Sequence, residues 1–480
     1  MAEYTLRSDA LLSMIREGQP MTRRQKLSLA VRLSIPAIIA QLSSILMQYI
    51  DASMVGSLGA ASSAAVGLVA PTTWLFTGTC SAVAAGFTVQ VAHKIGSNDW
   101  YSARIILKQS ITSTLIFSMF LAAIGVAVSS GLPFWLGGDE SIRKDASLYF
   151  MLFASFIPAM QLNYLAGGML RCSGNMRVPS LIGVLMCALD VVFNFFLIFP
   201  TRECHISGMT FMIPGAGLGV EGAALGTAAA ATTAAAILLY FLWRRSGELR
   251  PSLREGSFKP CKTVLHKALK ISIPMAMEHI AICGAQIMTI VIVAPLGVMS
   301  LAANSLAVTA ESLCYMPGYG IADAATTLVG QSVGARQKEL AKSFGRITMM
   351  MGMLVMGTTG ILMYILAPQI IGIMTPVAEV RDLGAMALRI EAFAEPMFAA
   401  SIVAYGVFVG AADTIIPCTM NFLSIWGVRL TLAALLAPIY GLRGVWIAMC
   451  VELCFRGLIF LVRFERGRWL KIKQTTHGYN

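Results

Sequence analysis

Twelve apolar stretches of roughly 20 to 27 residues each follow one another along this chain and leave it few ways to fold. They lie near 33–57, 64–91, 104–128, 147–170, 178–199, 217–243, 268–296, 303–329, 345–367, 385–411, 417–439 and 442–462. At about 1.5 Å per residue a helix of that length crosses a hydrocarbon core of about 30 Å. Lipid offers the backbone no hydrogen-bond partners, so only helices or a closed barrel can span it. Barrel strands alternate apolar and polar residues over about ten positions, and these stretches do not. The expected fold is an all-α polytopic membrane protein with twelve transmembrane helices embedded in the lipid bilayer. Composition agrees. Of the 480 residues 57% are hydrophobic and only 12% charged, against about 25% charged in soluble domains.

The net charge of +12 invites a nucleic-acid reading, but its distribution gives another. Most of the 36 Lys and Arg fall in the N-terminal segment, the even-numbered loops and the C-terminal end, all on one side of the membrane. The other side holds only Arg143, Lys144, Arg202, Arg381 and Arg443, and Arg389 and Arg429 lie within helices. This is the positive-inside bias. Both termini are expected in the cytoplasm, the membrane is expected to be the plasma (inner) membrane, and no nucleic-acid partner is implied. Residues 1–28 are polar and charged, so the first apolar stretch is expected to insert without cleavage. The ten cysteines show no CxxC spacing, and only Cys204 falls in an outer loop; they read as packing residues.

The chain repeats itself. At a shift of 238 residues Ser34-Ile35-Pro36 meets Ser272-Ile273-Pro274, Leu58-Gly59 meets Leu296-Gly297, Gly96 meets Gly334, Pro158 meets Pro396 and Pro179 meets Pro417. Beyond a longer loop at 201–216, Gly222 meets Gly444. Two six-helix lobes follow, 1–243 and 262–480, joined by a basic linker at 244–261. An even number of helices inserts both lobes the same way up, so their pseudo-two-fold axis runs along the membrane normal. A cavity between the lobes is then the expected substrate site.

An ionisable side chain deep in a span costs about 3 kcal/mol on insertion scales, so each needs a reason. Gln41, Ser44, Gln48 and Asp51 form one stripe of the first span. Asp190 and Asn194 lie one turn apart on the fifth. Two carboxylates in one pocket repel, which favours uptake of a proton, and carboxylate and amide oxygens also suit Na⁺. Asp51, Asp190 and Asn194 are therefore the candidate ion-coupling set and the one place for a metal ion. Glu278 and Gln286 share a face of the seventh span. Asn304, Glu311 and Tyr315 share a face of the eighth. With Gln48 these are the candidate substrate-cavity residues. Asp323 lies nearer the basic side. Glu391 and Glu395 are expected to pair internally with Arg389 and Arg429, and Glu452 with Arg456. The acids are not duplicated by the repeat, which fits an asymmetric cavity.

Enzymatic readings fail on context. Gly330-Gln331-Ser332-Val333-Gly334 matches G-x-S-x-G, but that elbow needs a strand before the serine, and here an apolar span precedes it. Neither a P-loop nor HExxH occurs, so no cofactor and no catalytic residue is expected.

Asp51-Ala-Ser-Met-Val-Gly-Ser-Leu-Gly-Ala, Leu170-Arg171-Cys172-Ser173-Gly174-Asn175, Gly330-Gln331-Ser332-Val333-Gly334-Ala335 and Gly410-Ala411-Ala412-Asp413-Thr414 resemble motifs of the multidrug and toxic compound extrusion (MATE) family, and the resemblance covers nearly the whole chain. It implies a monomeric secondary antiporter that exports organic cations or other amphipathic compounds in exchange for H⁺ or Na⁺. It also implies ion coupling through Asp51. The DinF-like branch is the nearer one, although that branch carries N-x-x-x-D where this chain has Asp190-x-x-x-Asn194. Glu278 sits about one turn before the helix 7 glutamate of the NorM-like branch and is not equated with it. A flippase of lipid-linked sugars on a related fold is the alternative; it would line its cavity with basic residues.

Overall fold

The computed structural model describes residues 2–206, 209–250 and 256–470. The expectations for Arg254, Lys471, Lys473 and the Cys204 side chain lie outside the described residues. A short helix α1 (Ala2–Glu17) precedes the spans. The first lobe contains α2 (Arg23–Gly56), α3 (Ala60–Gly96), α4 (Trp100–Val128), the single turn α5 (Leu132–Trp135), α6 (Glu140–Ser155), α7 (Ile157–Cys172), α8 (Arg177–Ile198) and α9 (Val220–Arg244). The second contains α10 (Lys262–Val293), α11 (Val298–Gly334), α12 (Lys338–Met374), α13 (Ala378–Glu391), α14 (Glu395–Gly410), α15 (Ile415–Phe422), a π-helical turn Leu423–Arg429, α16 (Leu430–Tyr440) and α17 (Leu442–Arg466).

Among the described residues nine helical spans are long and apolar enough to cross a membrane alone, and the bent pairs α6/α7 and α13/α14 form one span each, at 46° and 61°. The twelfth among the described residues is α11. At 37 residues it is as long as its repeat mate α3. It is less apolar because it buries Asn304, Glu311 and Ser312 against protein instead of lipid. The two bends have one cause. Pro158 and Pro396 open the second half of each broken span, where a missing N–H is tolerated but continuation from the preceding helix is not. The repeat also shows in the turns. Gly59 and its mate Gly297 have φ of 121° and 101°, which only glycine adopts readily.

The lobes meet along two seams, α2 against α11 and α3 against α10, and α3 crosses α11 at the basic end. Small residues allow this approach. A Cβ on Gly320 would lie 2.6 Å from Ile38 N, and one on Gly86 2.6 Å from Ala268 O. Within the loop expected at 201–216, residues 201–206 and 209–216 form most of an antiparallel pair of β1 (Pro200–Ile206) and β2 (Met209–Ala216).

Candidate functional site

Inside the first lobe α8 buries Asp190 and Asn194 completely, and α2 brings Asp51 to them. Asn194 Nδ2 donates to Asp51 Oδ1 at 2.9 Å and to Asp190 Oδ2 at 3.2 Å. Asp190 Oδ1 and Asn194 Oδ1 have no hydrogen-bond partner among the described residues. The space exists because α9 carries glycine opposite: a Cβ on Gly226 would lie 2.0 Å from Asn194 Oδ1. The pocket therefore offers oxygens from three side chains and one shared amide donor. Such a set suits a proton or a hard monovalent cation, whereas two bare buried carboxylates are unfavourable.

Between the lobes lies a cavity of about 370 Å³, a volume typical of small-molecule sites. Its charged lining is balanced: Arg171 from α7 and Arg456 from α17, Glu278 from α10 and Asp323 from α11, with His279 beside them. Gly78 admits the imidazole, since a Cβ there would lie 2.6 Å from the His279 ring. Glu278 accepts from Cys418 Sγ at 3.1 Å and from Asn421 Nδ2. Tyr164, Tyr319, Tyr405 and Phe398 give the walls an aromatic character.

A third polar centre fills the second lobe. Glu452, fully buried, accepts from Arg429 Nη2 at 2.7 Å and from Ser424 Oγ at 2.6 Å, and pairs with Arg456 Nε at 3.1 Å. The π turn containing Ser424 and Arg429 brings both to one carboxylate; such turns often mark functional positions. This corrects one sequence expectation. Arg429 serves Glu452, and Arg389 lies over the Tyr364 ring at 5.7 Å. Glu391 and Glu395 are left fully buried, with none of their four carboxylate oxygens hydrogen-bonded among the described residues. Glu311 is their electrostatic neighbour.

The MatE family model matches residues 36–196 and 274–435, two copies beginning at repeat-mate prolines. The chain belongs to the MatE family. Members are membrane transporters and not enzymes, so the G-x-S-x-G match carries no catalysis. A MatE relative from Thermotoga maritima, named a probable multidrug resistance protein NorM, is 25% identical over 443 residues, 92% of each chain. YisQ of Bacillus subtilis, an uncharacterized transporter, is 24% identical over 82% of this chain and 84% of its own. A MATE crystal structure in complex with MaL6 matches with a TM-score of 0.86 at 21% identity, over 96% of this chain and 99% of that one. An outward-facing multidrug resistance MATE transporter matches at 0.85 and 21%, with the same coverage. These likenesses extend the MatE fold over nearly the entire chain.

Within that fold the six cavity candidates separate. Glu278 lines the central cavity. Tyr315 stands behind the wall, its ring 5.6 Å from Phe398. Asn304 accepts from Trp446 Nε1 at 3.1 Å and ties α11 to α17. Glu311 is buried in the second lobe. Gln48 and Gln286 are exposed and are not part of the cavity lining. The sequence marks Arg171 only as a basic-side charge and Arg456 only as the partner of Glu452, yet both line the cavity, as does Asp323. Neither hydropathy nor spacing shows that they converge on one cavity, because that depends on how the lobes cross. Asp51, Asp190 and Asn194 are absent from this lining. Their pocket is separate from the central one.

Proposed function

We propose that this MatE transporter is a secondary active antiporter that exports organic cations or amphipathic drugs in exchange for H⁺ or Na⁺ by alternating access. One observation carries the reading: a buried acid pocket with unpartnered oxygens stands apart from a drug-sized cavity between two pseudo-symmetric lobes. A coupling ion and a substrate can then act on the same lobes from different sites. The ion binds Asp51, Asp190 and Asn194 from the outer side, where each unit charge gains about 2.3 kcal/mol per 100 mV. Occupancy neutralises the carboxylates, substrate leaves outward, and the emptied cavity reopens inward. Glu391, Glu395 and Glu311 offer the second lobe a comparable place for protons or Na⁺. The basic side is assigned to the cytoplasm and the protein to the plasma membrane.

Support for a drug-like substrate comes from relatives named as probable multidrug resistance proteins and from the aromatic walls. A cavity for lipid-linked pyrophosphate would be basic throughout; here Glu278 and Asp323 offset Arg171 and Arg456. The acids favour a cationic group on the substrate, and the two guanidiniums accommodate a second, anionic or polar end. The deciding experiment is ethidium efflux from proteoliposomes under separately imposed H⁺ and Na⁺ gradients, with wild type and Asp51→Asn. Efflux driven by one gradient and lost in the variant is expected. Gradient-independent behaviour in both would overturn the antiport reading.

A further inference from the structure

At the basic end the lobes are joined twice by the same bond. His93 Nε2, in the last turn of α3, meets Gly410 O at the end of α14 at 2.7 Å. Gln331 Nε2, in the last turn of α11, donates to Cys172 O at the end of α7 at 2.8 Å. His93 and Gln331 are mates at the shift of 238, and so are Cys172 and Gly410. Each bond satisfies a carbonyl that a helix end leaves open. Together they shut the cavity above Ala92, Cys172 and Val409, which line it there.

Helix α1 lies across this closure. Leu12 and Ile15 are 1% and 0% exposed, packed with Leu29 and Met176 of the first lobe and Leu328 and Phe344 of the second. Ile15 O accepts from Gln337 Nε2 of the second lobe at 2.7 Å. Arg16 reaches Ser173 O of the first lobe at 3.4 Å and lies over the Trp100 ring at 4.8 Å. Gly174 makes the seat, since a Cβ there would lie 2.2 Å from Leu12 Cδ1. A polar leading segment had no reason to bury two large aliphatic side chains unless it docks.

We propose that α1 is a releasable strap, bonded to both lobes only while the basic end is closed, which must leave the second lobe before the central cavity opens there. The proposal rests on the alternating-access reading above. The short connection 18–22 keeps α1 beside α2, so its return is intramolecular and fast at high effective concentration.

The native Cys172 thiol, 5% exposed, reports opening at this end. Full-length protein in vesicles presenting the basic end is treated with a membrane-impermeant methanethiosulfonate, and modification of Cys172 is followed by mass spectrometry. Ile15→Asp and, separately, Gln337→Ala remove one anchor each. Labelling of Cys172 from that end is expected to rise roughly tenfold in each variant, with Cys187 inside the first lobe labelled as in wild type. Unchanged Cys172 labelling in Gln337→Ala and Ile15→Asp, with Cys187 unaltered, overturns the strap. Because labelling needs no transport, a failure of the efflux experiment and a failure of the strap are separate results.

Discussion

Asn194 holds Asp51 through its amide at 2.9 Å, while the same nitrogen reaches Asp190 at 3.2 Å. One neutral donor thus serves two carboxylates from different spans, and α2 and α8 are joined through a group whose occupancy can change. A ligand that binds only the folded pocket stabilises the protein by about 2.7 kcal/mol at a hundred times its Kd. Wild-type protein in detergent is therefore expected to melt at a higher temperature with the coupling ion than without it. Asp51→Asn removes one of the carboxylates and should abolish that ion-dependent increment while leaving the ion-free melting temperature within a few degrees. An increment that survives the substitution would move ion binding out of this pocket, to Glu391 and Glu395 first.

Gly226 gives the same pocket an independent handle. A methyl group placed 2.0 Å from Asn194 Oδ1 cannot coexist with the present position of that amide. Overpacking of this kind costs about 1–3 kcal/mol, and here the strain falls on the bond to Asp51. Gly226→Ala should weaken ion-driven efflux although no charged residue is touched. Full efflux with an unaltered ion dependence of melting would show that the amide's position does not matter.

The buried acids of the second lobe should part company when neutralised. Glu452 has two arginines and a serine on it, so Glu452→Gln leaves buried guanidiniums undercompensated and should cost about 3 kcal/mol or more. Glu395 has no hydrogen-bond partner among the described residues, and Glu395→Gln should be neutral or stabilising while lowering ion-coupled efflux. Thermal melts and efflux on the two variants check this. A large loss of stability in Glu395→Gln would mean that the carboxylate is structural.

The division between what sequence showed and what it hid has a physical basis. The twelve spans and the repeat were legible because lipid demands long apolar runs, and Pro158, Pro396, Gly59 and Gly297 punctuate them in register. Asp190 and Asn194 were legible as a pair because one helical turn brings them together whatever surrounds α8. Contacts between spans were not. Arg429 chooses Glu452 over Glu391 because a π turn rotates it, and nothing in Leu423–Arg429 announces that turn. The helix faces of Gln48 and Gln286 suggest cavity residues, yet neither side chain is part of the cavity lining. Helix α1 was hidden because its buried side chains, Leu12 and Ile15, are too few to mark an apolar run.

Closure at the basic end should be tunable through two glycines. A Cβ on Gly96 would lie 2.0 Å from Gln331 O, and one on Gly334 2.0 Å from His93 O. The contact is the same in both halves of the repeat, and it brings together the helix ends that carry the His93 and Gln331 bonds. A methyl group at either position must push α3 and α11 apart in the closed state only. At about 1–3 kcal/mol that shifts a two-state balance by roughly 5- to 150-fold. Gly96→Ala and Gly334→Ala should each favour the state open at the basic end, measured as faster sided labelling of Cys172 and slower efflux. Their effects should be similar in size because the sites are repeat mates. Were one variant to respond and the other to remain like wild type, the two-fold description of the closure would be wrong, and α1 would be the element that holds this end shut.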